Sequence, residues 1–396
     1  MKRSWQIERL GELCETYAGG TPSRSNPSFY LGDIPWITSS EVNQSKISET
    51  NQFISKRGLD SSSAKWIPKG AILIAMYGAT AGQIAELEIR ATANQAVLAV
   101  IPRKADSKFI YYQLNQIKDK ILFLAQGSGQ PNLSKSLIDK MPLSLPSFKY
   151  QRKIAHILST CDRVIKKTEA AIAKYEALKQ GLMQDLFTRG IDVETGALRP
   201  PWEEAPELYK ETDLGWLPED WEVKALEDFL FLKSGNGITS ESISSSGNFP
   251  VYGGNGLRGY TNSYTHQGNY VLVGRQGALC GNVVLATGKF YASEHAVVVN
   301  TTIPINIKWL ELKLIDLDLN KYSEASAQPG LSVQKISRIK VATPLLNEQD
   351  LIGSRFLLLE KKLLRERENL SKYHQLQIGL MQDLLTGRVE VELEKN

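Results

Sequence analysis

The sequence has little cysteine and no long apolar run, and these absences exclude several classes of protein. Only three of its 396 residues are cysteine, and no two of them form a CxxC pair. Cys14, Cys161 and Cys280 therefore predict neither a disulfide framework nor a zinc site, and a reducing compartment is expected. No apolar run reaches membrane-spanning length, and residues 1–5 have no apolar signal core. We therefore expect a cytoplasmic protein without a membrane partner.

Motifs for catalysis and metal binding are also missing. The four histidines are far apart in the sequence, and no metal-ligand spacing or GxSxG elbow occurs. Residues 254–259 spell GxGxxG, but a turn-like stretch follows instead of the helix that a dinucleotide site requires. Residues 26–29 differ by one letter from the Asn-Pro-Pro-Phe element of amino-methyltransferases, but no apolar strand precedes them. The sequence therefore predicts no catalytic site, no metal and no cofactor on this chain.

Charge of one sign is not in large excess either. The formal net charge is +4, and residues 190–213 are acidic, with 7 Asp and Glu against 2 Lys and Arg. Nucleic-acid-binding domains commonly have a pI above about 9. Charge alone is therefore only a weak indication of nucleic-acid binding.

What the sequence does contain is a long internal repeat. The hexapeptide Gly-Leu-Met-Gln-Asp-Leu at 181–186 recurs unchanged at 379–384, 198 residues later. The loop at 130–134 recurs with one substitution at 328–332, and Trp5 has a counterpart in Trp221. Because repeats define the architecture of a chain, we interpret this sequence as a tandem duplication.

Each repeat is predicted to form an α/β domain followed by a long helix. Short apolar runs bounded by Gly, Pro and polar residues are typical of strands, and a helical period covers residues 107–124. Proline and acidic residues between the repeats indicate a linker. The predicted boundaries are 1–146 and 220–344 for the two α/β domains, 147–189 and 345–388 for the long helices, 190–219 for the linker and 389–396 for a tail.

A coiled-coil-like apolar seam follows each long helix. Its positions in the first helix are Ile154, Leu158, Cys161, Ile165, Thr168, Ile172, Tyr175, Lys179, Leu182 and Leu186, and Ile157, Val164, Ala171 and Leu178 widen it on one side. The second helix has Ile352, Phe356, Leu359, Leu363, Glu366, Leu370, Tyr373, Gln377, Leu380 and Leu384. A long helix with one apolar stripe needs a partner, and the order of domains and helices favours antiparallel pairing. The predicted fold class is α+β, with two α/β domains separated by two long helices in an antiparallel coiled coil and pseudo-two-fold symmetry.

This arrangement resembles the DNA-specificity subunits of Type I restriction–modification systems over essentially the whole chain. The resemblance lies in the alternation of domains and helices and in the repeated hexapeptide. It also lies in five short stretches, at residues 19–23, 34–37, 78–82, 250–256 and 347–349. In that family each domain is a target-recognition domain for one half of a split, asymmetric DNA site, and the paired helices set the spacing between the halves. The resemblance implies no catalysis on this chain.

The resemblance also implies partners. They are double-stranded DNA, two modification (methyltransferase) subunits that methylate adenine, and restriction subunits that act as motor and nuclease. S-adenosylmethionine, ATP and Mg are accordingly expected on those partner subunits. The first long helix departs from the pattern by opening with Phe-Lys-Tyr-Gln at 148–151, where the second has Asn-Glu-Gln at 347–349.

Base readout requires polar side chains on loops that enter a groove. The candidate DNA-binding residues are Thr21, Ser23, Arg24, Ser39, Ser40, Tyr77, Thr80, Gln130 and Asn132 in the first domain, and Tyr252, Asn255, Arg258, Tyr260, Arg275, Gln276 and Gln328 in the second. The alternative for each is loop structure or a phosphate contact. Candidate partner-binding residues lie in the hexapeptides, off the seam, where they would present one surface twice: Met183, Gln184, Asp185, Met381, Gln382 and Asp383. The alternative for them is equal local packing.

Three alternatives stay open at this point. In the first, the chain is a specificity subunit that serves a fused methylase-nuclease of another restriction type. In the second it is a coiled-coil scaffold without a nucleic-acid role, and in the third it is a self-sufficient methyltransferase or nuclease. Genomic neighbours distinguish the first, DNA binding with the methylase excludes the second, and methyl transfer by the purified chain would support the third.

Overall fold

The computed structural model describes residues 5–125, 133–277, 279–323 and 330–393. These residues form two compact units. Unit 1 comprises residues 1–169 and 368–396, and unit 2 comprises residues 170–367. Along the part of the chain that is described, no helix is long and apolar enough to cross a membrane.

Unit 1 contains one α/β domain. Its strands are β1 (Gln6–Arg9), β2 (Cys14–Ala18), β3 (Ile34–Ile37), β4 (Lys46–Ile47), β5 (Phe53–Ile54), β6 (Ile72–Ala75), β7 (Ile84–Leu87), β8 (Thr92–Ala93), β9 (Val97–Pro102) and β10 (Pro142–Leu145). Its helices are α1 (Leu10–Leu13), α2 (Lys56–Asp60), α3 (Ser107–Gln116), α4 (Lys118–Ala125) and α5 (Lys135–Asp139), followed by the long α6 (Phe148–Thr188), which continues into unit 2. The main sheet has the order β2-β9-β6-β7-β4, and β5-β3-β8 and β1-β10 form smaller sheets.

Unit 2 contains the second α/β domain. Its strands are β11 (Tyr209–Thr212), β12 (Gly215–Pro218), β13 (Glu222–Ala225), β14 (Leu230–Ser234), β15 (Phe249–Gly253), β16 (Gly256–Thr261), β17 (His266–Gly274), β18 (Val283–Ala292), β19 (Ala296–Thr301) and β20 (Lys340–Thr343). Its helices are α7 (Ile307–Asp316), α8 (Val333–Ser337) and the long α9 (Leu346–Leu384), which continues into unit 1. The main sheet has the order β14-β19-β17-β18-β15-β16, and β13 pairs with β20 as β1 pairs with β10.

The two long helices are antiparallel within each unit. In unit 1, Cys161 lies near the backbone oxygen of Tyr373, and the earlier residue Ile154 lines a pocket with the later residue Gly387. In unit 2, Arg367 pairs with Glu176 at 2.6 Å, and Glu360 pairs with Lys179 at 2.8 Å. The partner's residue number falls as the number along α6 rises in both units, which confirms the predicted α+β fold class with an antiparallel helix pair.

The predicted seam is the buried side of this helix pair. Leu158 and Phe356 are completely buried, and the polar seam position Thr168 is buried because its hydroxyl donates to the backbone oxygen of Val164 at 3.0 Å. The predicted widening of the seam is only partial, since Val164 and Leu178 are 36% and 51% exposed. The seam is therefore narrower than the apolar pattern predicted.

A buried glutamine fixes each α/β domain to the start of its long helix. In unit 1, Gln151 accepts from the backbone N–H of Asp106 at 2.9 Å and donates to the oxygen of Pro146 at 2.9 Å. In unit 2, Gln349 accepts from the N–H of Asn306 at 3.0 Å and donates to the oxygen of Pro344 at 2.9 Å. Asp106 and Asn306 are the N-caps of α3 and α7, so one amide joins a helix cap to a long helix in each repeat.

The stretch at 190–219, which the sequence predicted to be a linker, is a folded part of unit 2. It contains the β11–β12 hairpin, on which the exposed rings of Trp202 and Trp216 stack 5.2 Å apart. The side chain of Arg199 from this stretch is inserted beside the completely buried carboxylate of Glu348, with a 2.6 Å contact between Nη1 and Oε1. The proline and acidic content that suggested a linker belongs to a packed segment.

The predicted single helix at 107–124 is divided into α3 and α4 at Ile117. The side-chain amide of Asn115 donates to the backbone oxygen of Tyr111 at 2.9 Å. The backbone N–H of Ile117 still donates to the oxygen of Gln113 at 3.1 Å, so the interruption is a local turn between two helical segments.

Candidate nucleic-acid interface

In the first domain, the predicted residue Thr21 follows a close approach between two backbone segments that only glycine permits. A Cβ atom on Gly19 would lie 2.2 Å from the backbone oxygens of Ala93 and Asn94. The chain therefore passes directly against the turn before β9, and Thr21 donates to the side-chain oxygen of Gln95 at the exposed tip of that turn. Sequence reasoning selected Thr21 but missed Gln95.

A second contact joins two other candidates in this domain. The hydroxyl of Thr80 donates to the backbone oxygen of Ser39 at 2.9 Å, so the β6–β7 turn and the segment after β3 are adjacent. Tyr77, in the same turn, is 37% exposed. The remaining described candidates, Ser23, Arg24 and Ser40, are exposed, and the hydroxyls of Ser23 and Ser40 contact Ser25 and Thr38 respectively. Gln130 and Asn132 lie outside the described residues.

The second domain brings three predicted residues together. Asn255, Arg258 and Gln276 line a surface cavity of about 350 Å³ with Gly254, Gly277 and His295. This cleft combines amide, guanidinium and imidazole groups, which can donate to the acceptors of DNA. His295 was not selected from the sequence, where it has no motif around it.

Arg275 lies beside this cleft in a more restrained position. Its side chain is half-buried and donates from Nη1 to the hydroxyl of Ser234 at 2.8 Å, while its backbone N–H donates to the oxygen of His295 at 3.0 Å. Tyr252 packs edge-on against the ring of Phe290, with 5.8 Å between ring centroids, and burial and then the nearby Tyr260 raise the pKa of its hydroxyl. Gln328 lies outside the described residues.

The two interfaces share one backbone frame. Gly19 N donates to Val97 O at 3.0 Å, and Gly235 N donates to Ala296 O at 2.9 Å. The N–H of Met76 donates to Ala96 O at 2.8 Å, as that of Arg275 does to His295 O. These bonds make the two positions equivalent, so a buried methionine in the first domain corresponds to a half-buried arginine in the second.

The repeated hexapeptides are only partly exposed. Gln184 and Gln382 are exposed, whereas Met183 and Met381 are half-buried and pack against the apolar cores of unit 2 and unit 1. The methionines therefore contribute to local packing, which was the alternative for them, and their role in partner binding stays a prediction.

Each hexapeptide acid contacts an arginine that follows the helix. Asp185 pairs with Arg189 at 2.7 Å, and Asp383 is 3.7 Å from Arg388. Met183 and Gln184 also line a surface pocket of about 380 Å³ with Asp316. The described residues contain no group of three or more His, Cys, Asp or Glu side chains placed to hold a metal ion.

Comparison with known proteins gives matches over most of the chain. Residues 2–176 and 218–371 match the family model described as Type I restriction modification DNA specificity domain. The chain is 29% identical over 359 residues to the Type I restriction enzyme EcoprrI specificity subunit of Escherichia coli, covering 87% of this chain and 85% of that protein.

Solved structures with the same fold are also found. A Type I restriction–modification S subunit from M. genitalium superposes with a TM-score of 0.65 at 17% identity, over 99% of this chain and 97% of the other. A chain from a structure concerning complex assembly and conformational transition of the type I R-M system gives a TM-score of 0.53 at 15% identity, over 96% and 97% of the two chains.

Proposed function

Because the chain belongs to the Type I restriction modification DNA specificity family, we propose that it recognises a split, asymmetric DNA target, with one half-site bound by each of its two α/β domains. DNA target recognition within a Type I restriction–modification complex is its role, and the chain is not itself an enzyme. The complex contains other restriction–modification subunits besides this one.

The main support for two half-sites of different sequence is a difference in side chains between the two domains. The domains place different side chains on one backbone frame: Met76 and Ala18 in the first domain correspond to Arg275 and Ser234 in the second. An arginine can donate two hydrogen bonds to guanine, and a methionine cannot. Two surfaces with the same frame and different donors would select different bases.

The finer composition of the complex is part of this proposal. Two modification subunits would each bind one hexapeptide surface, around Gln184 in unit 2 and around Gln382 in unit 1. S-adenosylmethionine, ATP and Mg would act on the partner subunits, and the complex would work in the cytoplasm, where its DNA is. Alanine at both Gln184 and Gln382 should weaken assembly with the modification subunit, and unchanged assembly would leave these residues a packing role only.

Mapping of methylated adenines tests the proposal directly. The chain is expressed with its modification subunit, and the methylated motif is determined across the genome. We expect a motif of two parts separated by unspecified bases. Exchange of residues 1–146 for the first domain of another specificity subunit should change one part and leave the other. A continuous motif, or a change in both parts, would contradict the assignment of one half-site to each domain.

A further inference from the structure

The turn that precedes β9 in unit 1 recurs before β19 in unit 2 with a different polar side chain at its tip. In unit 1 the N–H of Val97 donates to Asn94 O at 3.1 Å, and in unit 2 the N–H of Ala296 donates to Ser293 O at 2.9 Å. The next residue along each turn is Gln95 in unit 1 and Glu294 in unit 2, and these two positions are therefore equivalent.

The carboxylate of Glu294 has one oxygen without a hydrogen-bond donor. Its Oε1 lies 3.2 Å from Nε2 of His295, whereas its Oε2 is covered and accepts no hydrogen bond from any residue that the structure describes, although 41% of the side chain is exposed. A carboxylate oxygen without a donor from the protein can accept a hydrogen bond from a ligand, and rotation of this part-exposed side chain would present it. A donor supplied by a ligand would satisfy it.

The surroundings of Glu294 indicate the kind of ligand. His295, its neighbour, lines the cleft with Arg258 and Asn255. Arg258 of this cleft also lies near the turn that carries Glu294. A Cβ atom added to Gly253 would lie 2.4 Å from Cδ of Arg258 and 3.4 Å from the hydroxyl of Ser293, the residue before Glu294. A carboxylate in a region with guanidinium and amide donors can approach DNA, since the charge of Arg258 offsets its repulsion from phosphates.

Base chemistry then separates the two domains. An ionised carboxylate only accepts hydrogen bonds, and the cytosine N4 amino group in the major groove is the donor that Glu recognises. Gln95 is exposed and is held by the hydroxyl of Thr21, and its amide both donates and accepts, as recognition of adenine N7 and N6 requires.

We propose that Glu294 selects a cytosine in the half-site of unit 2, and that Gln95 selects an adenine in the half-site of unit 1. The proposal rests on the function proposed above and adds to it which residue determines one base in each half-site.

The test uses the complete complex with its modification subunits. Binding is measured on a set of duplexes in which each base pair of the recognised site is replaced in turn. For Glu294→Gln we expect the preference for cytosine at one position of one half-site to fall by on the order of 10-fold and to be replaced by a preference for adenine. Gln95→Glu should make the reverse change in the other half-site.

Two comparisons separate the possible failures. Glu219→Gln removes the same charge from an exposed position in the β11–β12 region of unit 2, and it should leave every base preference unchanged. Weakening of Glu294→Gln by the same factor on all duplexes, or an unchanged base profile, would overturn the proposal while the split site of the parent complex remained. If the parent complex showed no split site, the proposed function itself would fail.

Discussion

The first turns of the two long helices, α6 and α9, share a buried glutamine but differ at the residue that precedes it. Gln151 and Gln349 make the same two hydrogen bonds to their own domains. The preceding residues are Tyr150 in unit 1 and Glu348 in unit 2. The duplication has therefore kept one connection between helix and domain and replaced another.

The acid of unit 2 is part of a buried network of charged and polar groups. Glu348 is completely buried and accepts from Arg199 at 2.6 Å, from the N–H of Ile191 at 2.6 Å and from the indole of Trp221 at 2.9 Å. Burial works to lower the pKa of Arg199, but the bonds to Glu348 and the nearby Asp220 outweigh it and raise that pKa. This carboxylate can be buried because three donors, all from unit 2, satisfy its oxygens.

Unit 1 has a tyrosine and mostly apolar neighbours at the equivalent position. Tyr150 and Trp5 line a cavity of about 280 Å³ with Val389 and Val391. Gly387, in the left-handed conformation at φ +67, packs against Trp5 as Gly190, also at φ +67, packs against Trp221. The comparison shows that a duplicated frame can keep its glycine and tryptophan while the residue in the first turn of the long helix changes from an acid to a tyrosine.

Removal of the buried acid Glu348 should produce the largest difference in stability between the two units. Glu348→Ala leaves Arg199 with only the part-exposed carboxylate of Asp220 as an ionic partner, and loss of one member of a buried ion pair commonly costs about 3–5 kcal/mol. Hydrogen exchange of β13, β20 and α7 should show this loss in the free energy of opening unit 2. Tyr150→Phe at the equivalent position should cost less than about 1 kcal/mol in unit 1. Equal losses in the two units would contradict the contrast.

Arg275, which corresponds to Met76 in unit 1, should contribute to DNA binding rather than to folding. If Arg275 contacts guanine, Arg275→Ala should cost about 1–3 kcal/mol of binding and relax one base position in the half-site of unit 2. Ser234→Ala, which removes only the 2.8 Å bond to this side chain, serves as the control and should relax it less. Uniform weakening across all sequences would instead identify Arg275 as a phosphate contact.

The shared glutamines should give matched effects. Gln151→Ala and Gln349→Ala each leave one part-buried backbone N–H and one backbone oxygen without this partner, at a cost of about 1–3 kcal/mol in unit 1 and unit 2 respectively. The exposed Gln375 of α9 provides a control, since Gln375→Ala should change stability by less than about 0.5 kcal/mol. Hydrogen exchange measured unit by unit decides this, and a large difference between the two glutamine variants would mean that the repeats do not use the residue in the same way.

Regular features of this fold follow from the sequence because they depend on local periodicity. The seam from Ile154 to Leu186 repeats at helical spacing, so its burial could be predicted from one sequence. The repeat also revealed equivalent turns. Glu348 could not be recognised as buried, because an acidic residue in the first turn of a helix is ordinarily a solvated one, and only Arg199, 149 residues away in the chain, makes its burial possible.

The candidate interface was harder to predict for a similar reason. The pairing of Thr21 with Gln95 and of Thr80 with Ser39 joins loops 74 and 41 residues apart. Polar residue types on loops are common, and a sequence does not say which loops meet. Gln95 and Glu294 could have been found by one signal, a polar residue in the turn before the apolar strand of each repeat.

The smallest expected effect concerns the polar positions of the helix pair. In unit 2, Glu360 contacts Lys179 at 2.8 Å and Lys308 at 2.5 Å. Burial works to raise the pKa of Glu360, but the two lysines outweigh it and lower that pKa. A carboxylate with a lowered folded pKa stabilises the fold above its unfolded pKa, and this stabilisation is lost as pH falls through the folded pKa.

Glu360→Gln should therefore destabilise unit 2 by about 0.2–1 kcal/mol at neutral pH, since the pair with Lys179 is partly exposed. The difference from the parent chain should shrink as pH is lowered from about 5 and also as salt is raised, because both weaken the ion pairs. In unit 1 the corresponding polar contact joins Asp162 to the neutral amide of Gln377, so Gln377→Ala should show a much smaller salt dependence. A Glu360→Gln difference that stayed constant from neutral to acidic pH would mean that the lysines contribute packing and not charge.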